Sequence, residues 1–250
     1  MTSSYVEGKS TTALGNVNTA VRDPILISDR CLEIALRVER NRNQVDLYFS
    51  TMQKDITPAM RKIVAEWMLE VCAEEKCQEE VVLLALSFLD RFLSTKSVRK
   101  AHLQILAAAC LLLASKLREP SCRALSVDLL VIYTDNSIFK DDLIKWELCV
   151  ISRLGWDLSS VTPLDFVEQL IIRLPLIKKN IRDVSMEKIR RHAQAFISLA
   201  AKGFRGSLLL LQYLAGRWSI LYPLSSLAFG VLRLIRVYGV CSTYIYNILI

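Results

Sequence analysis

Glycine, proline and histidine are all scarce in this chain, at eight, six and two residues among 250. The shortage of helix breakers, set against abundant Leu, Ile, Ala, Lys and Glu, predicts an all-helical protein. A hydrophobic fraction of 52% is enough to fill one large or two ordinary domains. The seven cysteines are odd in number and contain no Cys-x-x-Cys pair. Cys72, Cys110 and Cys149 lie in apolar helical stretches, where they are expected to pack as small hydrophobes, as suits a reducing compartment, the nucleus or cytoplasm. The first twenty residues lack any apolar run and are rich in Ser and Thr, so no secretory signal is expected and residues 1–22 read as a flexible tail.

Catalytic patterns are missing as well. His102 and His192 stand alone on presumptive helices, the first read as a surface residue and the second as a partly buried packing residue. The sequence shows no His/Cys/Asp/Glu set at metal spacing, no Gly-x-Ser-x-Gly, no glycine-rich phosphate loop and no kinase motif. The reading is therefore a non-enzyme without cofactor or metal. Acidic residues are absent from Ala201 onward, where five Lys/Arg remain, whereas residues 1–200 balance near +2. The net charge of +7 is thus no phosphate-tracking stripe, and nucleic acid is not an expected partner.

What is present is a run of helical signals. Thr57-Pro58 reads as an N-cap followed by proline at the first helical position. Beyond it Ile63, Val64, Trp67, Met68 and Val71 recur at helical spacing and are read as one apolar face. A second helix spans about Gln78 to Leu93, with Val81, Ala85, Phe88, Leu89 and Phe92 inward. The third, from about Lys100 to Leu117, is apolar nearly all round and is expected at the centre of the bundle. One helix opened by Ser126 and another over about Lys140 to Leu154 complete five. Thr162-Pro163 then repeats the cap-and-proline start, leading into Leu164 to Leu174 and a helix from about Val184 to Ala201, as a second helical unit would.

Three charges stand inside these apolar words: Arg61, Asp90 and Lys116. A charge stripped of water costs several kcal/mol unless paired, so they imply a mutual network or a shared partner surface. The words around them, Met60-Arg61-Lys62-Ile63-Val64-Ala65, Trp67-Met68-Leu69-Glu70-Val71-Cys72, Leu89-Asp90-Arg91-Phe92-Leu93-Ser94, Ala114-Ser115-Lys116, Ile132-Tyr133-Thr134-Asp135-Asn136-Ser137 and Arg191-His192-Ala193-Gln194, resemble those of D-type cyclins in the same order. The resemblance runs from about Asp23 to about Ala201.

It implies an all-α cyclin fold. Residues 23–156 would form a five-helix first cyclin box, 157–203 the start of a second, and 204–250 a divergent hydrophobic tail. It also implies a regulatory subunit that docks a cyclin-dependent kinase of the D-cyclin-binding type and shifts it toward its active conformation. By the family's pattern Lys116 and Glu147, with Leu117 beside them, would contact the kinase. Arg61 and Asp90 read as an internal ion pair joining the first helix to the second and orienting Lys116. Met60, Ile63, Trp67, Glu70 and Gln104 would form a shallow groove for Arg-x-Leu peptides of substrates and inhibitors. By periodicity alone, Ile63 and Trp67 belong to the core face of their helix.

Retinoblastoma-family substrates and kinase inhibitors are implied partners, although the Leu-x-Cys-x-Glu motif that D-type cyclins often carry is lacking. The ending also departs from the family, with Leu208 to Leu211, Trp218 to Leu232 and a Tyr/Ile-rich close. Arg217 interrupts the apolar stretch from Ser207 to Leu232 and no uncharged run reaches 18 residues, so a membrane partner is not the favoured reading. A membrane-tethered form and a non-activating kinase-binding form are the alternatives.

Overall fold

The computed structural model describes residues 29–42, 48–173 and 186–202, and every regular element among them is helical. In chain order these are α1 (Asp29–Arg42), α2 (Tyr48–Thr51), α3 (Pro58–Glu74), α4 (Glu79–Thr95), a 3-10 turn (Lys100–His102), α5 (Leu103–Arg118), α6 (Val127–Ile132), α7 (Lys140–Arg153), α8 (Pro163–Arg173) and α9 (Met186–Lys202). The readings placed on residues 1–22 and 204–250 lie outside the described residues.

The helix starts are set by local chemistry. Thr57 is extended and its Oγ1 accepts from the Met60 amide, with Pro58 at the first helical position. Ser126 Oγ accepts from the Leu129 amide at the head of α6. Thr162 heads α8, where the Asp165 carboxylate reaches back and accepts from the Thr162 amide at 2.6 Å and from its hydroxyl at 2.9 Å, satisfying an otherwise orphaned donor.

Three ends share one device as well. At α3, α6 and α7 a left-handed residue (Lys76, Asp135 and Gly155) lets the next amide return to the carbonyl five residues back. The bonds are Cys77 to Cys72, Asn136 to Val131 and Trp156 to Ile151.

α5 is enclosed on every side: Leu103 and residues 105–115 are buried, and α4 and α7 pack against it most extensively. Among the described residues, Lys100–Arg118 is the one helical stretch long and apolar enough to cross a bilayer, and protein encloses most of it. Its polar member Ser115 accepts from the Leu125 amide at 2.7 Å, so burial leaves no lone hydroxyl. Phe88, Leu89, Phe92 and Leu93 of α4 are fully buried against it, each contributing about 1.5–3 kcal/mol by leaving water. Cys72 and Cys110 are buried, but Cys149 is exposed, because it lies on the outward side of α7. The expectation that all three pack as hydrophobes fails there.

The face assigned to α3 also requires correction. Its buried residues are Arg61, Ala65, Met68, Val71 and Cys72, a stripe centred on the 61-65-68-72 spacing, whereas Ile63 is 65% exposed. At about 100° per residue, Ile63 lies roughly opposite that stripe. Its apolar character belongs to a second, outward face. α9 packs on α3 and α4, and α1 packs on α8.

Candidate partner-docking surfaces

Arg61, though charged, sits in the middle of the inner face of α3 with only 5% of its surface exposed. Its Nε and Nη2 donate to Asp90 of α4 at 3.1 and 2.7 Å, a two-pronged pair suited to the planar guanidinium. Tyr48 of α2 donates its hydroxyl to Asp90 Oδ1 at 2.8 Å, and Arg61 Nη1 donates to the Ala201 carbonyl in the last turn of α9 at 2.8 Å. Four helices therefore meet at one polar node. Burial opposes the charge on Arg61, but Asp90 and Tyr48 outweigh it and raise its pKa. Burial, then Asp90, push the Tyr48 phenol well above its ordinary range. Tyr48 and the Ala201 carbonyl carry no sequence signal, since both partners are distant along the chain.

The third charge stands apart from this node. Lys116 occupies the last turn of α5, where a cation favours the helix C-terminus, and its side chain is 47% exposed. Its Nζ donates to both oxygens of Glu147 on α7, at 2.7 and 2.8 Å, and Glu147 is buried. Lys116 is thus oriented by Glu147 rather than by Arg61 and Asp90. The two opposite charges pair with each other across α5 and α7.

Around them lie apolar residues that a monomer core does not use. Leu117 is 48% exposed, and Ile144 and Leu148, one turn apart on α7, are 44% and 58% exposed. Neither α7 residue stands out in the sequence. The available signal is an apolar count in Leu143-Ile144 and Leu148 larger than one inward stripe requires.

On the outward side of α3, Met60, Ile63, Trp67 and Glu70 fall within a sector of about 80° by helical geometry. Met60 and Trp67 are half-buried, while Ile63 and Glu70 are exposed. The turn after α6 closes the far side: Trp67 Nε1 donates to the Tyr133 carbonyl at 3.2 Å, and Ser137 Oγ donates to Gln104 Oε1 at 3.4 Å. Asp135 and Asn136 adopt left-handed backbone there, a conformation that these short polar side chains tolerate. Tyr133 itself is fixed by donating to Glu75 at 2.6 Å. Met60, Ile63, Trp67 and Glu70 thus share one strip of α3, with Glu70 as its exposed carboxylate, and the turn after α6 links Trp67 to the neighbourhood of Gln104. Gln104 and Lys116 lie near opposite ends of α5, about 18 Å apart along its axis, so the strip and the Lys116–Glu147 face are separate surfaces. Among the described residues, no group of three His, Cys, Asp or Glu side chains is placed to hold a metal ion.

Comparison with known proteins places this all-helical bundle in one class. Residues 30–159 match the cyclin N-terminal domain, and the fold is similar to that of a viral cyclin from herpesvirus saimiri, with a TM-score of 0.59 and 21% identity over 89% of this chain and 99% of that one. The chain belongs to the cyclin family. Its sequence falls with the D type. It is 48% identical over 186 residues to the G1/S-specific cyclin-D2 of Gallus gallus, covering 74% of this chain and 62% of the relative. It is 46% identical over 185 residues to the G1/S-specific cyclin-D1 of Danio rerio, covering 74% and 61%. The chain thus spans a little over three fifths of the length of the curated relatives it matches.

Proposed function

We propose that this chain is a regulatory subunit, not itself an enzyme, that binds a cyclin-dependent Ser/Thr kinase of the D-cyclin-binding type and holds it active for cell-cycle entry. The observation that carries the reading is the Lys116–Glu147 pair framed by exposed Leu117, Ile144 and Leu148. A charge pair with a half-exposed lysine, set beside exposed apolar side chains, offers an anchor that a partner can desolvate, the arrangement that interface hot spots favour. Binding energy is all the chain supplies. A kinase is inactive while the helix carrying the partner of its catalytic lysine is swung out, and a rigid surface complementary to the inward position shifts that equilibrium. Moving it from mostly off to mostly on takes about 5.5 kcal/mol of differential affinity.

The test is association with a candidate kinase together with phosphorylation of a retinoblastoma-tail substrate. Lys116→Glu reverses the anchor and leaves Glu147 buried beside a like charge, so kinase association is expected to fall at least a hundredfold. That substitution also disturbs a buried carboxylate. Leu148→Asp, at an exposed position, provides a second variant that the core does not need. Full association by a folded Leu148→Asp chain would overturn the reading. Association without phosphorylation would identify a non-activating form.

The strip along α3 is proposed as a docking groove for substrates and inhibitors carrying Arg-x-Leu, with Glu70 receiving the arginine and Met60, Ile63 and Trp67 the leucine. The exposure of Ile63 supports this, because a core residue would be covered. Retinoblastoma-family proteins are the proposed substrates. Nucleus and cytoplasm are the proposed locations, testable by imaging the tagged chain.

A further inference from the structure

The end of α3 brings two thiols together. In Cys72-Ala73-Glu74-Glu75-Lys76-Cys77 the left-handed Lys76 turns the chain so that the Cys77 amide bonds to the Cys72 carbonyl at 2.9 Å and the Lys76 amide to the Ala73 carbonyl at 3.2 Å. This turn characteristically packs its first and last side chains against each other, a contact usually made by two apolar residues. Here both are cysteines. Cys72 is buried and Cys77 half-buried. Arg123 lies over the turn, its Nη2 donating to the Lys76 carbonyl at 2.9 Å.

We infer that Cys72 and Cys77 form a dithiol modification site, in which the Cys77 thiolate attacks a peroxide and Cys72 resolves the product into a disulfide. Accessibility assigns these roles, since Cys77 is half-buried and open to a small peroxide whereas Cys72 is buried. The neighbouring Cys77 and then burial hold the Cys72 thiol well above its ordinary pKa, whereas Cys77 is lowered, first by Cys72 and also by Arg123, against the opposing pull of burial, Glu119 and Glu75. A low-pKa, accessible thiol beside a resolving one is the arrangement of redox-sensing cysteines.

The chemistry balances. Cys77 sulfur forms a bond to one peroxide oxygen as the O–O bond breaks, giving a sulfenic acid and hydroxide. The Cys72 sulfur then displaces the sulfenic oxygen, which leaves as water with the Cys72 proton. The hydroxide takes up the proton that Cys77 released on ionising, so two thiols are oxidised to one disulfide and one peroxide is reduced to two waters. A cellular dithiol returns the pair to its starting state, as expected of a transient disulfide in a reducing compartment. Cys110 is enclosed in α5, with burial raising its pKa, and takes no part.

The test treats the purified full chain with hydrogen peroxide, followed by mass spectrometry of its peptides. A Cys72–Cys77 link lacking two hydrogens is expected, reversible by dithiothreitol. Cys77 should react about tenfold faster than the exposed Cys122 and Cys149. In Cys72→Ala the Cys77 sulfenic acid should persist and be trapped by dimedone. In Cys77→Ser, Cys72 should remain reduced. Equal reaction at Cys122 and Cys149, or a disulfide joining Cys77 to Cys122 instead, would overturn the assignment. Should Cys72→Ala fold poorly, the unaltered chain and Cys77→Ser decide the question by themselves.

Discussion

Breaking the Arg61–Asp90 node tests whether it acts as one unit. Replacing Arg61 by Met keeps much of the aliphatic packing but removes three donors, leaving the Asp90 carboxylate with the Tyr48 hydroxyl and the Ala201 carbonyl without its Nη1 partner. Asp90→Asn does the converse, stranding a buried guanidinium. With side-chain exposures of 6% and 19%, neither charge can recover its water without moving the helices, so each single change is expected to cost about 3–5 kcal/mol. In the double variant no unpaired charge remains, and the amide oxygen introduced at position 90 would still accept from Tyr48. The combined loss should therefore be only about 2–4 kcal/mol, well short of the sum of the two single losses. Denaturant unfolding of the four chains, followed by far-ultraviolet circular dichroism, reads this from the midpoints at constant slope. Additive losses, agreeing within about 0.5 kcal/mol, would refute the reasoning, because independent groups add.

Ile63→Asp places a charge on an exposed position and should change stability by less than about 0.5 kcal/mol, yet weaken binding of an Arg-x-Leu peptide about tenfold or more; a calorimetric titration with unchanged affinity would remove Ile63 from the groove. The Tyr48 phenol holds its proton more tightly in the folded chain than in the unfolded one. Its contribution is therefore complete while both states are protonated, and is lost as pH rises above about 10, where the unfolded chain ionises first. Stability measured across that range should fall less steeply in Tyr48→Phe than in the unaltered chain.

The helix starts are legible because their chemistry is local. Thr57-Pro58, Ser126 and Thr162-Pro163 each announce a cap within a few residues, and each heads a helix. The unbroken apolar course of α5 marks the bundle centre for a similar reason, since only an enclosed helix can be apolar all round. The inward side of α3 escapes the same treatment because periodicity detects apolar residues without knowing what covers them. Ile63 satisfies a core pattern although it faces outward, whereas Trp67 does pack against the core and Arg61 holds the inner position.

Pairings across the chain are beyond local inspection. Lys116 meets Glu147 across 31 residues, and Tyr48 meets Asp90 across 42. The turn at Lys76 is hidden too, because glycine usually marks a left-handed helix end and here a lysine occupies it. The five-residue spacing of Cys72 and Cys77 is visible, but its meaning depends on that turn.

The bond from Arg61 to the Ala201 carbonyl has a bearing on the order of assembly. It spans 140 residues, whereas Arg61 and Asp90 are 29 apart and their helices adjoin in the chain. Contacts of short span form before those that must close a long loop. During synthesis from the N-terminus, α3 and α4 can join around Arg61 and Asp90 while one guanidinium nitrogen still lacks its acceptor. Only when α9 is complete does its last turn deliver that carbonyl. A nascent chain halted before residue 201 would therefore leave that donor without its protein acceptor, and the arrival of α9 would be the step that locks the earlier helices in place.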